Sequence, residues 1–216
     1  MSFIYPPRPE VKCSPDQLGK YTNGYVGQPK LNGSCSVLHL DGASSILYER
    51  HNSMLTNTKE LGFSRLHQGS GYMTLVGEYM NKNKKGVGGV DFNHKFVIFD
   101  ILAYNGKTLV GSTTAERLDM LENLYGTAEM AVSPNGLVTA DNFLYLTEFE
   151  NIFRVKTFMP DADAGWERLY YDLIQHDMYE GVVLKRIGAK LEAGLREANN
   201  TGWQVKCRKE TKNYHF

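Results

Sequence analysis

The sequence of 216 residues is 42% hydrophobic and 12% aromatic, which is typical of a folded globular protein and excludes a disordered chain. Its 24 basic residues balance 24 acidic ones, so any contact with a polyanion has to use locally clustered basic side chains. Three cysteines without a CxxC pair fit neither a disulfide scaffold nor a zinc ribbon, and no apolar run predicts a signal peptide or membrane span, so we expect a reduced, cytoplasmic protein without membrane contact.

The chain begins with a proline-rich stretch and continues with short strands. Four prolines in the first 20 residues exclude an uninterrupted helix, and we expect this stretch to run extended over the surface. Runs rich in β-branched and aromatic residues then predict strands over residues 24–31, 34–40, 44–50, 72–80 and 95–109. Turn dipeptides punctuate these strands at Asn32-Gly33, Asp41-Gly42 and Asn105-Gly106.

Two later segments have helical periodicity. Over residues 113–126, Thr113 and Glu116 can form a capping box, and Gly126 is placed to end the helix. Its apolar stripe consists of Leu118, Leu121, Leu124 and Tyr125. Over residues 163–177, Asp163 is the expected N-cap. The apolar face there consists of Trp166, Leu169, Tyr170, Leu173 and Ile174.

Two further strands, over residues 179–187 and 202–209, complete the pattern. The elements predict one mixed α+β domain, residues 1–216, built on antiparallel sheet.

The segment QPKLNGS at residues 28–34 is the first that suggests chemistry. A lysine between two strands, followed by a tight turn, can present its amine at the mouth of a sheet, and a deprotonated amine is a competent nucleophile. The pattern KxxG is short and common, so this segment alone would favour an ordinary surface lysine beside a hairpin turn. The later segments of the sequence decide between a nucleophilic lysine and an ordinary surface lysine.

Four later segments follow in a fixed order. They are VGEY with Glu78, FVIFDIL with Phe99 and Asp100, YEGVVLKR with Glu180 and Lys185, and VKCRK with Lys206 and Arg208. Together with KLNG around Lys30 they resemble, in order and spacing, nucleotidyltransferase motifs I, III, IIIa, IV and V of ATP-dependent DNA ligases, RNA ligases and mRNA capping enzymes. The segment ILYERHNSMLT, with Arg50, resembles the arginine-bearing segment that follows motif I in DNA ligases. The likeness spans residues 28–209.

The resemblance implies a ligase-type nucleotidyltransferase (adenylation) domain, in which antiparallel sheets flanked by helices enclose a nucleotide cleft. It implies that Lys30 attacks the α-phosphate of ATP, expels pyrophosphate and carries AMP to a nucleic-acid 5′-phosphate, which is then sealed to a 3′-OH. The substrate expected first is a nicked DNA duplex. The sequence ends just after motif V, so we expect no C-terminal OB-fold domain in it and an accessory domain or protein in that place.

The same resemblance gives the other site residues their expected roles. Glu78 and Glu180 are the expected carboxylates at the ribose and the metal, and both are candidate ligands for Mg²⁺ or Mn²⁺. Phe99 is expected to stack on adenine, and Asp100 to support its strand. Phosphate contacts are expected from Lys185, Lys206 and Arg208, and Arg50 is expected among the nucleotide-binding residues. The nucleotide is expected to contact Gln28, Pro29 and Leu31 around the nucleophile.

Three positions depart from the DNA ligase pattern and leave alternatives open. Gln28 stands where an acidic residue is usual, and a glutamine amide can pair with adenine or with guanine. Asn32 and Cys35 replace the aspartate and arginine of KxDGxR. An RNA ligase is therefore the first alternative and a capping guanylyltransferase the second. A degenerate module that binds nucleotide or nucleic acid without catalysis is the third.

Overall fold

The computed structural model describes residues 3–56, 61–129, 141–197 and 199–211, and it contains two β-sheets. The first sheet has the order β1-β12-β11-β2 and consists of β1 (Arg8–Lys12), β12 (Asn200–Arg208), β11 (Tyr179–Arg186) and β2 (Tyr25–Leu31). The second has eight strands in the order β4-β3-β5-β6-β10-β9-β8, with β7 paired to β6. Its strands are β3 (Ser34–Asp41), β4 (Ser44–Glu49), β5 (Met73–Met80), β6 (Lys95–Tyr104), β7 (Lys107–Thr108), β8 (Ala128–Glu129), β9 (Leu144–Leu146) and β10 (Ile152–Val155).

The sheets are mainly antiparallel, as expected, with two exceptions: β1 pairs in parallel with β12, and β10 pairs in parallel with β6. The helices are α1 (Thr114–Tyr125) and α2 (Glu167–Ile174), and short 3-10 helices cover Pro15–Tyr21, Phe63–Leu66 and Val87–Gly89. None of the described helices is long and apolar enough to cross a bilayer.

The strands and turns follow the sequence pattern closely. The Asp41-Gly42 turn connects β3 to β4, and Asn105-Gly106 connects β6 to β7 with both residues at positive φ, as a tight two-residue hairpin requires. The capping box of α1 also forms: the Glu116 amide donates to Thr113 Oγ1 at 3.2 Å, and the Thr113 amide donates to Glu116 Oε2 at 2.7 Å.

The Asn32-Gly33 turn has a different function from the other two. It does not close a hairpin, because β2 belongs to the first sheet and β3 to the second. A chain that leaves one sheet and enters the other at this point places the end of β2 at the junction of the two sheets.

The N-terminal stretch is extended over part of its length, as expected, but there it joins a sheet instead of lying over the surface. Residues Arg8–Lys12 form β1 at the edge of the first sheet, and the following residues form a 3-10 helix. Proline is compatible with this position, because an edge strand leaves some amide groups without a ladder partner.

The second helix begins later than the sequence predicts. The N-cap of α2 is Trp166, and Asp163 lies in the preceding turn, so the assignment of Asp163 as N-cap is wrong. The side chain of Asp161 accepts the amides of Asp163 and Ala164 at 2.9 and 3.1 Å, which closes a separate turn. The buried indole of Trp166 donates to Tyr21 O at 3.0 Å and fixes the start of the helix beside the N-terminal segment.

The hydrophobic core extends across both sheets. One cluster joins the first sheet and α2 to β6, β9 and β10, and includes Trp166, Tyr179 and Val182. A second cluster packs α1 and the Phe63–Leu66 turn against the second sheet. Apolar side chains therefore connect the two sheets.

Candidate active site

Lys30 lies near the end of β2, opposite Gly181 of β11. Its Nζ donates to Glu180 Oε2 at 2.6 Å, and Arg208 Nη1 lies 3.5 Å from the same oxygen. The side chains of Lys30 and Glu180 are 23% and 24% exposed, so the amine is neither sealed in the core nor extended into bulk solvent. Strands β2, β11 and β12 therefore bring a lysine, a carboxylate and a guanidinium to one point.

Gly33 of the KxxG pattern brings a second carboxylate to the same region. Its amide donates to Glu78 Oε1 at 3.0 Å, and a Cβ added at Gly33 would lie 2.7 Å from Tyr79 O. Only glycine allows the backbone to pass so close to β5. The glycine therefore couples the turn after Lys30 to the strand that carries Glu78.

Burial raises the pKa of Glu78 to about 7, although the charge of Lys30 and the Gly33 amide act in the opposite direction. The charge of Glu180 contributes to the increase, which shows that the two carboxylates are within electrostatic range of each other.

Asn32 connects the turn to a neighbouring basic side chain. With its amide oriented to satisfy both neighbours, Asn32 donates to Glu180 Oε1 at 3.3 Å and accepts from Lys84 Nζ at 3.0 Å. Lys84 is also 3.3 Å from Asp177 Oδ1. Both oxygens of Glu180 are thus engaged, which restricts the carboxylate to one orientation.

A cleft of about 350 Å³ opens beside Lys30, a volume suited to a small organic ligand. Ten of the eleven residues that the sequence analysis assigned to nucleotide binding line it, namely Gln28, Pro29, Lys30, Leu31, Arg50, Glu78, Phe99, Lys185, Lys206 and Arg208. The eleventh, Glu180, joins the group through its bonds to Lys30 and Arg208. Leu31 is mainly a core residue, because its side chain is buried in the cluster that joins the two sheets.

Gln28 and Phe99 form the polar and aromatic parts of the cleft wall. Gln28 is only 3% exposed, and its Nε2 donates to Thr157 Oγ1 at 3.3 Å. This bond uses the amide nitrogen and leaves the side-chain carbonyl oxygen as an acceptor that the bond does not occupy. Phe99 packs against the core, and the ammonium of Lys185 lies 5.3 Å from the centre of its ring.

Lys185 is buried and belongs to a charge network beneath the cleft. Its Nζ lies 3.7 Å from Asp100 Oδ2 and donates to Phe99 O at 3.3 Å. Burial lowers the pKa of Lys185 against the attraction of Asp100, and the charge of Arg117 adds to the lowering. A further negative charge at the cleft would therefore stabilise the charged form of Lys185.

Arg117 of α1 completes this network, although no motif in the sequence singles it out as a functional residue. It is fully buried, and its Nε and Nη2 donate to the two oxygens of Asp100 at 2.8 and 3.3 Å. Burial alone would raise the pKa of Asp100, but the charges of Arg117 and Lys185 outweigh it and hold this pKa below the usual value. Asp100 thus holds Arg117 and Lys185 in one buried network. Its Oδ1 also accepts from the Ile101 amide of its own strand.

Cys35, at the position of the motif I arginine in DNA ligases, lies opposite Glu78 in the pairing of β3 with β5. Burial first, and then the charge of Glu78, raise the pKa of its thiol to about 12. The thiol is therefore protonated at neutral pH and cannot serve as a nucleophile. Arg50 lies nearby: its backbone amide donates to Cys35 O at 3.3 Å, and its Nε donates to His51 Nε2 at 2.9 Å.

Sequence reasoning missed the part of the cleft that the N-terminal strand contributes. Pro7, Arg8, Pro9 and Glu10 line it, together with Asn200 and Gln204 of β12. Lys206 Nζ donates to Pro9 O at 3.1 Å, which joins the two strands through a side chain as well. Lys206 and Pro9 are 197 residues apart in the sequence. Nothing in the proline-rich pattern indicates a parallel partner strand so far along the chain.

Glu78 and Glu180 are the carboxylates nearest to Lys30 that could hold a divalent cation. Within residues 3–56, 61–129, 141–197 and 199–211, no group of three or more His, Cys, Asp and Glu side chains gathers at one point. Mg²⁺ is commonly held by one or two carboxylates, with water and substrate phosphates in the remaining positions. Glu78 and Glu180, near each other and near Lys30, fit that requirement for Mg²⁺ or Mn²⁺.

No family model and no curated protein matches this sequence. Solved structures do match. A mycobacterial DNA ligase D complexed with ATP and MES superposes with a TM-score of 0.62 at 15% identity, over 96% of this chain and 62% of its own. The ligase domain of LigD from M. tuberculosis gives 0.60 at 15% identity, over 96% and 61%. A structure from a study of Lig E DNA ligases gives 0.58 at 16% identity, over 95% and 70%.

The chain therefore has the fold of these DNA ligase structures, which confirms the resemblance to the ligase-type nucleotidyltransferases at the level of fold. It spans about three fifths of the length of the first two.

Proposed function

From this shared fold, we propose that the chain is the nucleotidyltransferase domain of an ATP-dependent polynucleotide ligase that acts on nicked DNA. The observation that carries the proposal is the position of Lys30. Its amine lies at the mouth of a nucleotide-sized cleft, 2.6 Å from Glu180 and among side chains that can bind phosphate. Nucleotidyl transfer depends mainly on positioning and charge stabilisation, which this arrangement can supply.

In the first step, the neutral amine of Lys30 attacks the α-phosphorus of ATP. A nitrogen–phosphorus bond forms, the bond from the α-phosphorus to the bridging oxygen breaks, and pyrophosphate leaves with the electron pair. The ammonium has to lose one proton before the attack, and Glu180 Oε2 is the acceptor already in hydrogen-bond contact with Nζ. The second proton leaves the nitrogen as the new bond forms and passes to the departing pyrophosphate. The product is a lysyl-AMP phosphoramidate on Lys30.

In the second step, an oxygen of a nucleic-acid 5′-phosphate attacks the phosphorus of the adduct. The nitrogen–phosphorus bond breaks and Lys30 regains a proton. In the third, a 3′-OH attacks the activated 5′-phosphate and expels AMP, which seals the nick. The chain spans only part of the ligases it matches, so the sealing of nicks by this chain is proposed as a whole and does not follow from the shared fold.

The other side chains have roles that follow from their positions. The side-chain carbonyl of Gln28 would accept a hydrogen bond from the 6-amino group of adenine, and Phe99 would stack on the base. Arg50, Lys185 and Lys206 would neutralise phosphate charge. Arg208 would hold Glu180 and the α-phosphate region together.

Glu78 and Glu180 would hold a divalent cation, whose charge would neutralise the phosphates and weaken the hold of Glu180 on the Lys30 ammonium. Both carboxylates already have defined orientations, through the Gly33 amide and through Lys30 and Asn32. The protein can therefore present them to a cation without rearranging either strand.

An RNA ligase is the second candidate, and Cys35 is the observation that favours it. A protonated thiol occupies the position where DNA ligases usually have an arginine, so a cationic contact to the nucleic acid is missing there. Comparing a nicked all-DNA duplex with one that has ribonucleotides on the 3′-OH side would separate the two substrates.

The proposal is tested by incubation with α-labelled ATP and Mg²⁺ followed by denaturing electrophoresis. We expect label on the wild-type chain and none on Lys30→Ala. Lys20→Ala is the matched control, because Lys20 is exposed and lies outside the cleft. Labelling with GTP in place of ATP would indicate a guanylyltransferase. An unlabelled wild-type protein that still binds nucleotide would show the degenerate binding module instead.

A further inference from the structure

Strand β1 forms part of the cleft although it lies outside all the nucleotidyltransferase motifs. Its backbone is held by β12 and by Asn199, the residue before β12. The Arg8 amide donates to Asn199 O at 2.9 Å, and Thr201 Oγ1 donates to Arg8 O at 3.1 Å. In the parallel register Arg8 pairs with Asn200, and Lys12 pairs with Lys206. The side chain of Arg8 therefore projects from a defined position.

The guanidinium of Arg8 lies within electrostatic range of both sides of the cleft. Its charge contributes to the lowered pKa of Lys206 on β12, after burial and the charges of Arg208 and Lys30. It also acts on Cys35 of β3, in the second sheet. Arg8 thus borders the same space as Lys30, from the opposite end of the sequence.

Arg8 differs from most other cations of the cleft because it has no carboxylate partner among the described residues. Lys30 and Arg208 share Glu180, and Lys185 has Asp100. In the described part of the chain Arg8 forms no ion pair, and Lys206 donates to the Pro9 carbonyl rather than to a carboxylate.

Arg8 and Lys206 are two partly buried cations that line one cleft, and neither forms an ion pair within the described residues. Such cations repel each other, and that repulsion is relieved when an anion binds between them. A guanidinium is suited to this because its donors can bind two phosphate oxygens at once.

We propose that Arg8 is a phosphate-binding residue, which acts together with Lys206 on a phosphate group other than the one that Lys30 attacks. The inference rests on the proposed function for the identity of the ligand. Two phosphates have the required chemistry, namely the pyrophosphate portion of ATP and the 5′-phosphate of the nucleic acid.

Direct binding tests the inference without any need for catalysis. Inorganic pyrophosphate and a nicked duplex with a 5′-phosphate are titrated against wild type, Arg8→Ala and Arg8→Lys. A nicked duplex with a 5′-OH serves as the ligand control. Arg65→Ala is the matched variant, because Arg65 is an exposed arginine outside the cleft.

We expect Arg8→Ala to weaken the binding of one phosphate ligand by about tenfold or more, and Arg8→Lys to restore part of the affinity. Weakened pyrophosphate binding would assign Arg8 to the leaving group. Weakened binding of the 5′-phosphate duplex, with the 5′-OH duplex unaffected, would assign it to the nucleic acid. Melting temperatures of the variants should stay close to that of the wild type.

Unchanged affinities for both ligands in a folded Arg8→Ala protein would overturn the inference. Failure of the wild type to form lysyl-AMP would instead overturn the proposed function, and the binding titrations would still report on Arg8. The two failures are therefore distinguishable.

Discussion

The Nζ of Lys30 and the Oε2 of Glu180 are 2.6 Å apart, although 150 residues separate them in the sequence. The contact exists because β2 and β11 are antiparallel neighbours, with a register irregularity between Tyr179 and Gly181 at the position of Glu180. Such a break in the ladder can redirect a side chain, and here Glu180 meets Lys30 at the edge of the cleft.

Replacing Glu180 with glutamine should reduce the chemistry far more than the stability. Glu180→Gln keeps the shape of the side chain but removes its charge, so we expect formation of lysyl-AMP to slow by about 100-fold. The lost ion pair is partly exposed and should cost at most about 1 kcal/mol of unfolding free energy. Single-turnover labelling and urea denaturation measure the two effects. Glu192→Gln, at an exposed position, is the control.

Asp100→Asn should destabilise the fold, because it leaves the charges of Arg117 and Lys185 without a buried partner. We expect a loss of about 3–5 kcal/mol in unfolding free energy, measured by urea denaturation at neutral pH. Asp119→Asn, on the exposed side of α1, should change it little.

The unfolding free energy that Asp100 contributes should fall at acidic pH. The pKa of Asp100 is lowered in the fold, so the stability from its ionised form is present above the ordinary value of 3.8 and is lost as pH falls through the lower folded value. Equal stability of wild type and Asp100→Asn at neutral pH would contradict the assignment.

Glu78 should give the stability a second pH dependence of opposite sign. Its pKa rises from 4.5 to about 7 in the fold, so the neutral carboxyl is favoured there. The associated stability is fully present below pH 4.5 and is lost as pH rises through about 7. Relative to Glu78→Gln, the wild type should lose about 2 kcal/mol of unfolding free energy between pH 5 and pH 8. Parallel stability curves for the two proteins over this range would refute the prediction.

Gly181→Ala should disturb the site through the backbone. Gly181 has a φ of +147°, and a Cβ there would lie 2.1 Å from Cys207 O, so the alanine has to push β12 away from β11. We expect a cost of about 1–3 kcal/mol and a slower adenylation reaction, because Glu180 and Arg208 separate. Gly202→Ala in β12 meets nothing within 4 Å and is the matched control. Thermal melting and the labelling assay would test both variants.

The bond between Gln28 and Thr157 should determine the choice of nucleotide. While Thr157 Oγ1 holds the amide nitrogen of Gln28, the carbonyl is presented as an acceptor, which suits adenine and not guanine. Thr157→Val removes the hydroxyl at nearly constant volume and frees the amide to rotate. We expect the preference for ATP over GTP in the labelling assay to fall by roughly tenfold. A preference identical to that of the wild type would show that the bond has no such role.

Local sequence patterns were sufficient to predict most of the elements and the types of residue in the site. Runs rich in β-branched and aromatic residues predicted β2 to β6, and the pair Thr113 and Glu116 predicted the start of α1, because strand propensity and helix capping depend on residues only a few positions apart. The order of the motifs selected side chains that the fold brings around one cleft.

The tertiary structure decided the features that depend on distant partners. The parallel position of β1 beside β12, the passage of the chain between sheets at Asn32-Gly33 and the burial of Arg117 all come from contacts across long sequence separations. A proline-rich stretch has the same local pattern whether it lies on the surface or joins a sheet. Its role in the cleft is fixed only when hydrogen bonds and charges from the other end of the chain meet it.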